Sequence, residues 1–144
     1  MSAANPTLDR IENEITWYSQ KSQSNQYWFK HLKVIEIICA ALIPISAGLN
    51  LSSYITGGLG AVIVIFEGIQ GLYQFQQNWT TYRSTAEALK HEKYLWLAKA
   101  GPYSNVKNPD PLLAERVESL ISRENAKWVE GREQIEKTKQ AGET

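Results

Sequence analysis

The sequence is short of the residues from which most catalytic and disulfide-built proteins are made. Its single cysteine, Cys39, excludes an intrachain disulfide framework. Lying in an apolar run, it reads as a small packing residue. Two histidines, His31 and His91, fall in different predicted helices, and His91-Glu92 lacks the second histidine that a zinc-protease helix needs four residues on. No glycine-rich phosphate loop, nucleophile elbow or Cys/His cluster is present. These gaps leave no catalytic residue, metal ligand or cofactor to name, and an enzyme is not expected. Neither sign of charge is in excess. The 15 basic and 15 acidic side chains cancel, so there is no electrostatic case for nucleic acid. Internal repeats and low-complexity tracts are missing too. The first 33 residues hold no apolar segment of the kind a cleavable signal requires, so the apolar part that follows is the expected targeting element.

That apolar part occupies residues 34–75. It reads VIEIICAALIPISAGL, a polar connector NLSSY, then ITGGLGAVIVIFEGIQGLYQF. A soluble domain spreads its apolar residues at helical or strand spacing, whereas here they are segregated into one third of the chain. A helix crossing the hydrocarbon core needs about 20 mostly apolar residues, so the two runs predict a membrane hairpin with spans at residues 34–50 and 54–75. The first run covers about 24 Å at about 1.5 Å per residue, which brings Leu32 and Phe29 to the interface. Pro44 removes a backbone donor and crowds the carbonyl of Ala40, predicting a kink that the nearby Ser46 helps to satisfy. The connector is uncharged, while Lys30, His31 and Lys33 precede the first span and Arg83, Lys90 and Lys93 follow the second. That bias puts both termini on the cytoplasmic side of a plasma membrane. Tyr27, Trp28, Phe29, Tyr73, Trp79 and Tyr82 supply an aromatic belt at the inner interface.

The flanks read as helices. Leu8, Ile11, Ile15, Tyr18, Ser22, Asn25, Phe29 and Leu32 follow an unbroken three-four spacing, so a cytoplasmic helix over residues 7–33 runs into the first span. Its polar middle, Ser22 and Asn25, fits either a register-setting seam or a plain surface helix. With no Gly or Pro between Leu72 and Ala100, the second helix is expected to continue unbroken through residues 76–100, with Gly101-Pro102 ending it. Asp110 as N-cap and Pro111 in the first turn open a last helix over residues 110–138. Leu113, Val117, Leu120, Ile121, Trp128 and Ile135 line one side of it, and the terminal KTKQAGET is expected to fray. The expected fold class is all-α: a membrane hairpin whose helices extend into a cytoplasmic bundle.

Two carboxylates inside the apolar runs are costly, and such residues are usually functional. Glu36 and Glu67 lie at equal distances from the turn, roughly 20 Å below it, and so share a depth. Repeated by rotational symmetry they form an acidic ring of the kind that attracts cations in channels. A proton- or cation-binding site of a carrier is a second reading, since clustered carboxylates raise each other's pKa. The bland alternative is that Glu36 snorkels to the interface or pairs with Lys33 or His31, and that Glu67 hydrogen-bonds to a neighbouring helix. On the second run Gly57, Gly60, Ala61, Gly68 and Gly71 make a small-residue face for close helix approach. The adjacent face carries Glu67, Gln70, Gln74, Gln77, Asn78 and Thr81. This polar stripe either lines a water-filled path or merely begins a soluble helix.

Residues 75–104 read FQQNWTTYRSTAEALKHEKYLWLAKAGPYS. The pattern formed by Trp79, Tyr82, Arg83, Thr85, Ala86, Glu87, Leu89, Lys90 and Glu92, followed by Gly101-Pro102-Tyr103, resembles the SLATT family. These are bacterial two-transmembrane proteins associated with SMODS nucleotide synthases and SLOG sensor domains. The hairpin and the aromatic-basic YWFKHLK extend the resemblance over roughly residues 8–103. It implies a membrane pore, often an effector in bacterial conflict systems. Physically, Trp79, Tyr82, Ala86 and Leu89 share a face and are expected to clamp the N-terminal helix, while Arg83 pairs with Glu87 four residues on or bridges to a neighbour. A lone hairpin encloses no aqueous route, so the leading expectation is a homo-oligomeric, cation-leaning ion channel of the bacterial inner membrane, with four or five copies among lipids. A non-conducting adaptor whose cytoplasmic helices recruit a partner is the rival, and a soluble bundle with a buried hairpin comes third.

Overall fold

The computed structural model describes residues 5–142 and is all-α. Helix α1 spans Pro6–Gly48, α2 Ser53–Tyr73, α3 Phe75–Leu97 and α4 Asp110–Gly142, with a short 3-10 turn at Gly101–Tyr103. The chain divides into two compact units: residues 20–80 form one, and the N-terminal part of α1 with residues from Thr81 onward forms the other.

Helix α1 starts where Asn5 Oδ1 accepts the backbone N–H of Thr7 at 3.0 Å, with Pro6 in the first helical position. It runs unbroken through Pro44, and the Ser46 hydroxyl donates to the Ile43 carbonyl at 2.8 Å. Its end is a Schellman cap. Leu51 N–H reaches the Ser46 carbonyl, Asn50 N–H reaches that of Ala47, and Asn50 takes the left-handed conformation at φ 54°. Ser52 then caps α2 by accepting the Tyr54 N–H at 3.3 Å. These turn residues, with Ser46 against Thr56 at 3.2 Å, fold the two apolar runs back on one another.

Three local expectations are corrected. The second helix is not continuous: Gln74 adopts left-handed angles (φ 49°, ψ 41°) and separates α2 from α3. A non-glycine residue pays roughly 1–2 kcal/mol for that conformation, which no local sequence signal announced. The α3 terminus is set by Lys99 rather than Gly101. Lys99 sits at φ 50° while Ala100 N–H reaches back to the Leu95 carbonyl, so the helix stops at Leu97 and Gly101 (φ 57°) serves the following turn. Asp110 does not cap α4. It occupies the first turn, where its charge suits the helix dipole, but its carboxylate accepts from Asn5 Nδ2 at 2.9 Å and Trp96 Nε1 at 3.1 Å. Helix α4 also runs to Gly142, past residue 138. The side chains of Trp128 and Ile135 lie outside the described residues.

The unit built from the chain ends has an ordinary apolar core. Ile11, Tyr18, Ala86, Leu89, Tyr103, Leu113 and Val117 are buried together, so the expected seam from Leu8 to Tyr18 and the apolar side of α4 both face inward. Two buried carboxylates are compensated there. Tyr18 Oη donates to Glu124 Oε2 at 3.0 Å. Glu92 accepts Tyr103 Oη at 2.7 Å and both Nε and Nη2 of Arg116, at 2.8 and 2.7 Å. The Arg116 fork, and then the Tyr103 hydroxyl, hold the Glu92 carboxyl below its ordinary pKa. Burial and the Glu92 charge push the Tyr103 phenol up.

A depressed folded-state pKa adds stability above the unfolded value, about 4.3 for Glu, and that part is lost as pH falls through the folded value. Thermal unfolding of the wild type is therefore expected to be level from neutral pH to about 5 and to fall steeply below about 4. Glu92→Gln should cost about 2 kcal/mol at neutral pH, since half-exposed Arg116 is rehydrated, and should flatten the acid limb. An acid limb unchanged in the variant would remove Glu92 from this role.

Candidate functional site

In the hairpin unit the usual distribution of polarity is inverted. The buried side chains include Ser22, Glu36, Ser46 and Gln70, with Leu32 beside them, while Ile37, Ile38, Ile45, Leu49, Val64, Ile65 and Leu72 are exposed. In water that order would be unfavourable, because apolar burial is the main term favouring folding. The most apolar 18-residue stretches of α1 and of the helix beginning at Ser53 are only 17% and 6% buried, whereas a core helix of a soluble protein would be mostly covered.

The buried polar groups form one cluster. Lys33 and Glu36 lie one turn apart on α1, and Glu67 and Gln70 one turn apart on α2. Lys33 Nζ stands 2.8 Å from Glu36 Oε2 and 2.9 Å from Glu67 Oε2. Gln70 Nε2 donates to Glu36 Oε1 in a short contact. The two acids meet at a single ammonium. Of the local alternatives for Glu36, Lys33 is the partner; His31 Nδ1 instead meets the Tyr27 carbonyl at 2.8 Å. The two carboxylates differ sharply in setting: the Glu36 side chain is 8% exposed and that of Glu67 66%. Among the described residues Gln70 Oε1 is buried with no hydrogen-bond partner. The cluster opens on a cavity of about 530 Å³ lined by Phe29, Lys33, Glu67, Gln70, Gly71, Gln74, Gln76, Gln77 and Thr80.

The rest of the expected stripe has more local work. Gln74 borders the cavity but is also the residue that breaks the helix. Asn78 Nδ2 donates to the Tyr73 carbonyl at 2.9 Å, satisfying an acceptor at the end of α2, and is not among the cavity-lining residues. A Cβ added at Gly57, Gly60, Gly68 or Gly71 would meet nothing within 4 Å. The small-residue face is therefore open and does not mediate the contact between α1 and α2.

The expected clamp divides. Trp79 faces Phe29 with ring centroids 6.4 Å apart, receives Lys30 Nζ over its ring at 5.8 Å, and accepts the Ser22 hydroxyl at its carbonyl. Phe29 and Trp79 thus contact one another, while Tyr27, Trp28 and Tyr73 are exposed. Tyr82 packs edge-on to Trp17 at 5.8 Å and lies 6.0 Å from Tyr18, with Ala86 and Leu89 buried beneath. Arg83 does not pair with Glu87: it is exposed without a salt bridge among the described residues, and Glu87 meets Lys90 at 3.1 Å. Sequence reasoning passed over Lys33 as a site residue although its spacing from Glu36 offered the signal. It also left Glu92 and Tyr103 as motif letters, where the fold joins them through Arg116.

Fold and cluster define a class: an all-α chain with two helices long and apolar enough to cross a membrane, carrying ionised side chains between them. The chain belongs to the family described as protein of unknown function (DUF4231), which it matches over residues 13–111. No curated protein and no solved structure matches it.

Removing one member of a buried ion pair leaves the other uncompensated, at a cost of about 3–5 kcal/mol. Lys33→Met should fall at the lower end of that range, because Glu67 is exposed, while Glu36→Gln should be milder because Gln70 retains a partner. The double variant should recover part of the loss, with a coupling of about 1–3 kcal/mol in thermal unfolding of the detergent-solubilised chain. Simple additivity would mean that the pair contributes nothing.

Proposed function

We propose that the chain is one protomer of a homo-oligomeric ion channel or pore in the bacterial inner membrane, leaning to cations, with α2 lining the path and both termini cytoplasmic. The carrying observation is the exposed Glu67 carboxylate, standing on an otherwise apolar helix surface at the rim of the polar cavity. In lipid such a charge is expensive unless it faces a protein or water-filled space, and within one hairpin only Lys33 and the open cavity lie beside it. Several copies arranged about an axis would place Glu67 and the glutamines of the cavity along a shared aqueous route, as acidic rings do in cation channels. The resemblance to the two-transmembrane SLATT pores supports the same reading.

One observation favours a second reading. Lys33 compensates both carboxylates within a single chain, so the cluster also suits a non-conducting membrane adaptor in which it only fastens the hairpin.

Reconstitution in liposomes separates the two. The wild type is expected to pass monovalent cations, and Glu67→Gln and Glu67→Ala to lower that flux several-fold. Absence of flux at every voltage and ion composition would sink the channel. Unchanged flux in both variants would keep the pore but remove Glu67 from it. Cross-linking in membranes should yield oligomers.

A further inference from the structure

Left-handed residues bracket α2, Asn50 in the turn before it and Gln74 at its end. The second sets which face of α2 meets α1. At about 100° per residue, Gly57, Gly60, Ala61, Gly68 and Gly71 would share one arc with Trp79, Ala86 and Leu89 if the helix ran on unbroken. Those three side chains turn toward α1: Trp79 lies against Phe29, and Ala86 and Leu89 are buried with Ile11 and Tyr18. A continuous helix would therefore lay the glycine arc on α1. The left-handed Gln74 turns α2 by about a third of a turn from that phase, so Glu67 and Gln70 meet α1 and the glycines meet nothing. The observed phase carries local strain and local repairs. Gln74 holds a conformation that only glycine adopts freely, and Gln70 Oε1 is buried without a hydrogen-bond partner. Asn78 Nδ2 covers the Tyr73 carbonyl, which Gln77 N–H would reach in an unbroken helix. Tyr73 and Phe75 stack at 5.4 Å, although residues two apart on one helix do not face each other.

We propose that α2 is a rotary switch with two phases on α1. In the observed phase Gln74 is left-handed, and Lys33, Glu36, Glu67 and Gln70 are joined. In the other phase Gln74 is right-handed, α2 and α3 form one helix, and the small-residue arc packs on α1, as such faces do between membrane helices. Glu67 and Gln70 then swing to the flank, while Glu36 keeps Lys33 from its own helix. Gln74, one turn beyond Gln70, comes within reach of the unmatched amide oxygen. Each phase satisfies groups that the other leaves open. In the pore reading, on which the regulatory meaning rests, the observed phase neutralises Glu67 and is closed, and the rotated phase frees its carboxylate and is open.

The test uses the full chain in detergent and needs no flux. Cys39, the single cysteine, lies about as far from the turn as residues 63 and 64 do on the other helix. Ile63, half-buried, shares the arc of Gln70, whereas Val64, 72% exposed, shares that of the glycines. In separate chains Ile63→Cys and Val64→Cys are coupled to Cys39 by a short thiol-to-thiol reagent, and intramolecular product is read by mass spectrometry at monomer mass. Ile63→Cys should couple in the observed phase and Val64→Cys in the rotated one. The ratio of Val64→Cys to Ile63→Cys coupling should fall with Gln74→Gly, which removes the strain. It should rise several-fold with Gln74→Val, whose branched side chain resists the left-handed angle. Asn78→Ala, which uncovers the Tyr73 carbonyl, should raise the ratio too, and decides the matter if the valine variant does not fold. Val64→Cys coupling that is absent in every background, or a ratio the same in all of them, overturns the switch. Liposomes without flux together with a ratio that follows position 74 would remove the pore and keep the switch; flux with an unchanging ratio would do the reverse.

Discussion

An ionised carboxylate held between two apolar helices must be matched where it sits. Glu36 is that group, and much of the hairpin answers to it. Moving an unpaired carboxylate from water into a low-dielectric interior costs several kcal/mol, a large share of a domain's stability margin, so register between α1 and α2 favours arrangements that deliver a donor. Lys33 comes from the same helix one turn away, and Gln70 from the facing helix. Sliding α2 by a single residue would turn Gln70 aside by about 100° and leave Glu36 with one partner. The turn fixes the same register from the other end, where Asn50 in its left-handed cap and Ser52 as N-cap allow only a short reversal.

The two units solve opposite packing problems with the same element. In the unit made from the chain ends, helices turn Ile11, Leu89 and Leu113 inward, and buried charge is restricted to fully bonded sites such as Glu92 with Arg116 and Tyr103. In residues 20–80 the polar groups turn inward and the branched aliphatics outward. Burial of apolar surface cannot hold that second unit together, because its apolar surface is not buried. Hydrogen bonds and an ion pair join α1 to α2 there, through Lys33, Glu36, Glu67 and Gln70.

Most of this was legible in the sequence because period and punctuation decided it. The three-four spacing from Leu8 to Tyr18 placed the buried face of α1, the connector placed the turn, and equal distance from that turn placed Glu36 opposite Glu67. What could not be read depended on three-dimensional competition. Gln74 has no intrinsic reason to adopt a left-handed angle, and Asn78 makes the break tolerable by bonding the Tyr73 carbonyl. Gly101 was the better candidate for a helix cap than Lys99 on propensity alone, yet the chain ends α3 sooner and uses the glycine in the next turn. Asp110 was free to cap its own helix, but its carboxylate accepts from Asn5 and Trp96. Arg83 and Glu87 had the right spacing, but i,i+4 pairs on an exposed face contribute only about 0.2–0.5 kcal/mol, too little to dictate a rotamer against Lys90.

The glycine face and Glu67 belong together in any account of assembly. At about 100° per residue, Glu67 lies at the edge of the arc that holds Gly57, Gly60, Gly68 and Gly71, and that arc meets no other part of the chain. Close approach of a second helix there would cover Glu67 as well. Its carboxylate would then lose water on one side, keep Lys33 on another, and depend on the cavity for the rest of its solvation. A neighbour that sealed the cavity would leave the acidic layer with one ammonium for two carboxylates, an imbalance that a dry interface between copies cannot sustain. Contact through the glycines is therefore compatible with the charges only where the Glu67 side of the interface stays wet. In the proposed assembly, that requirement favours an aqueous path over a closed seam.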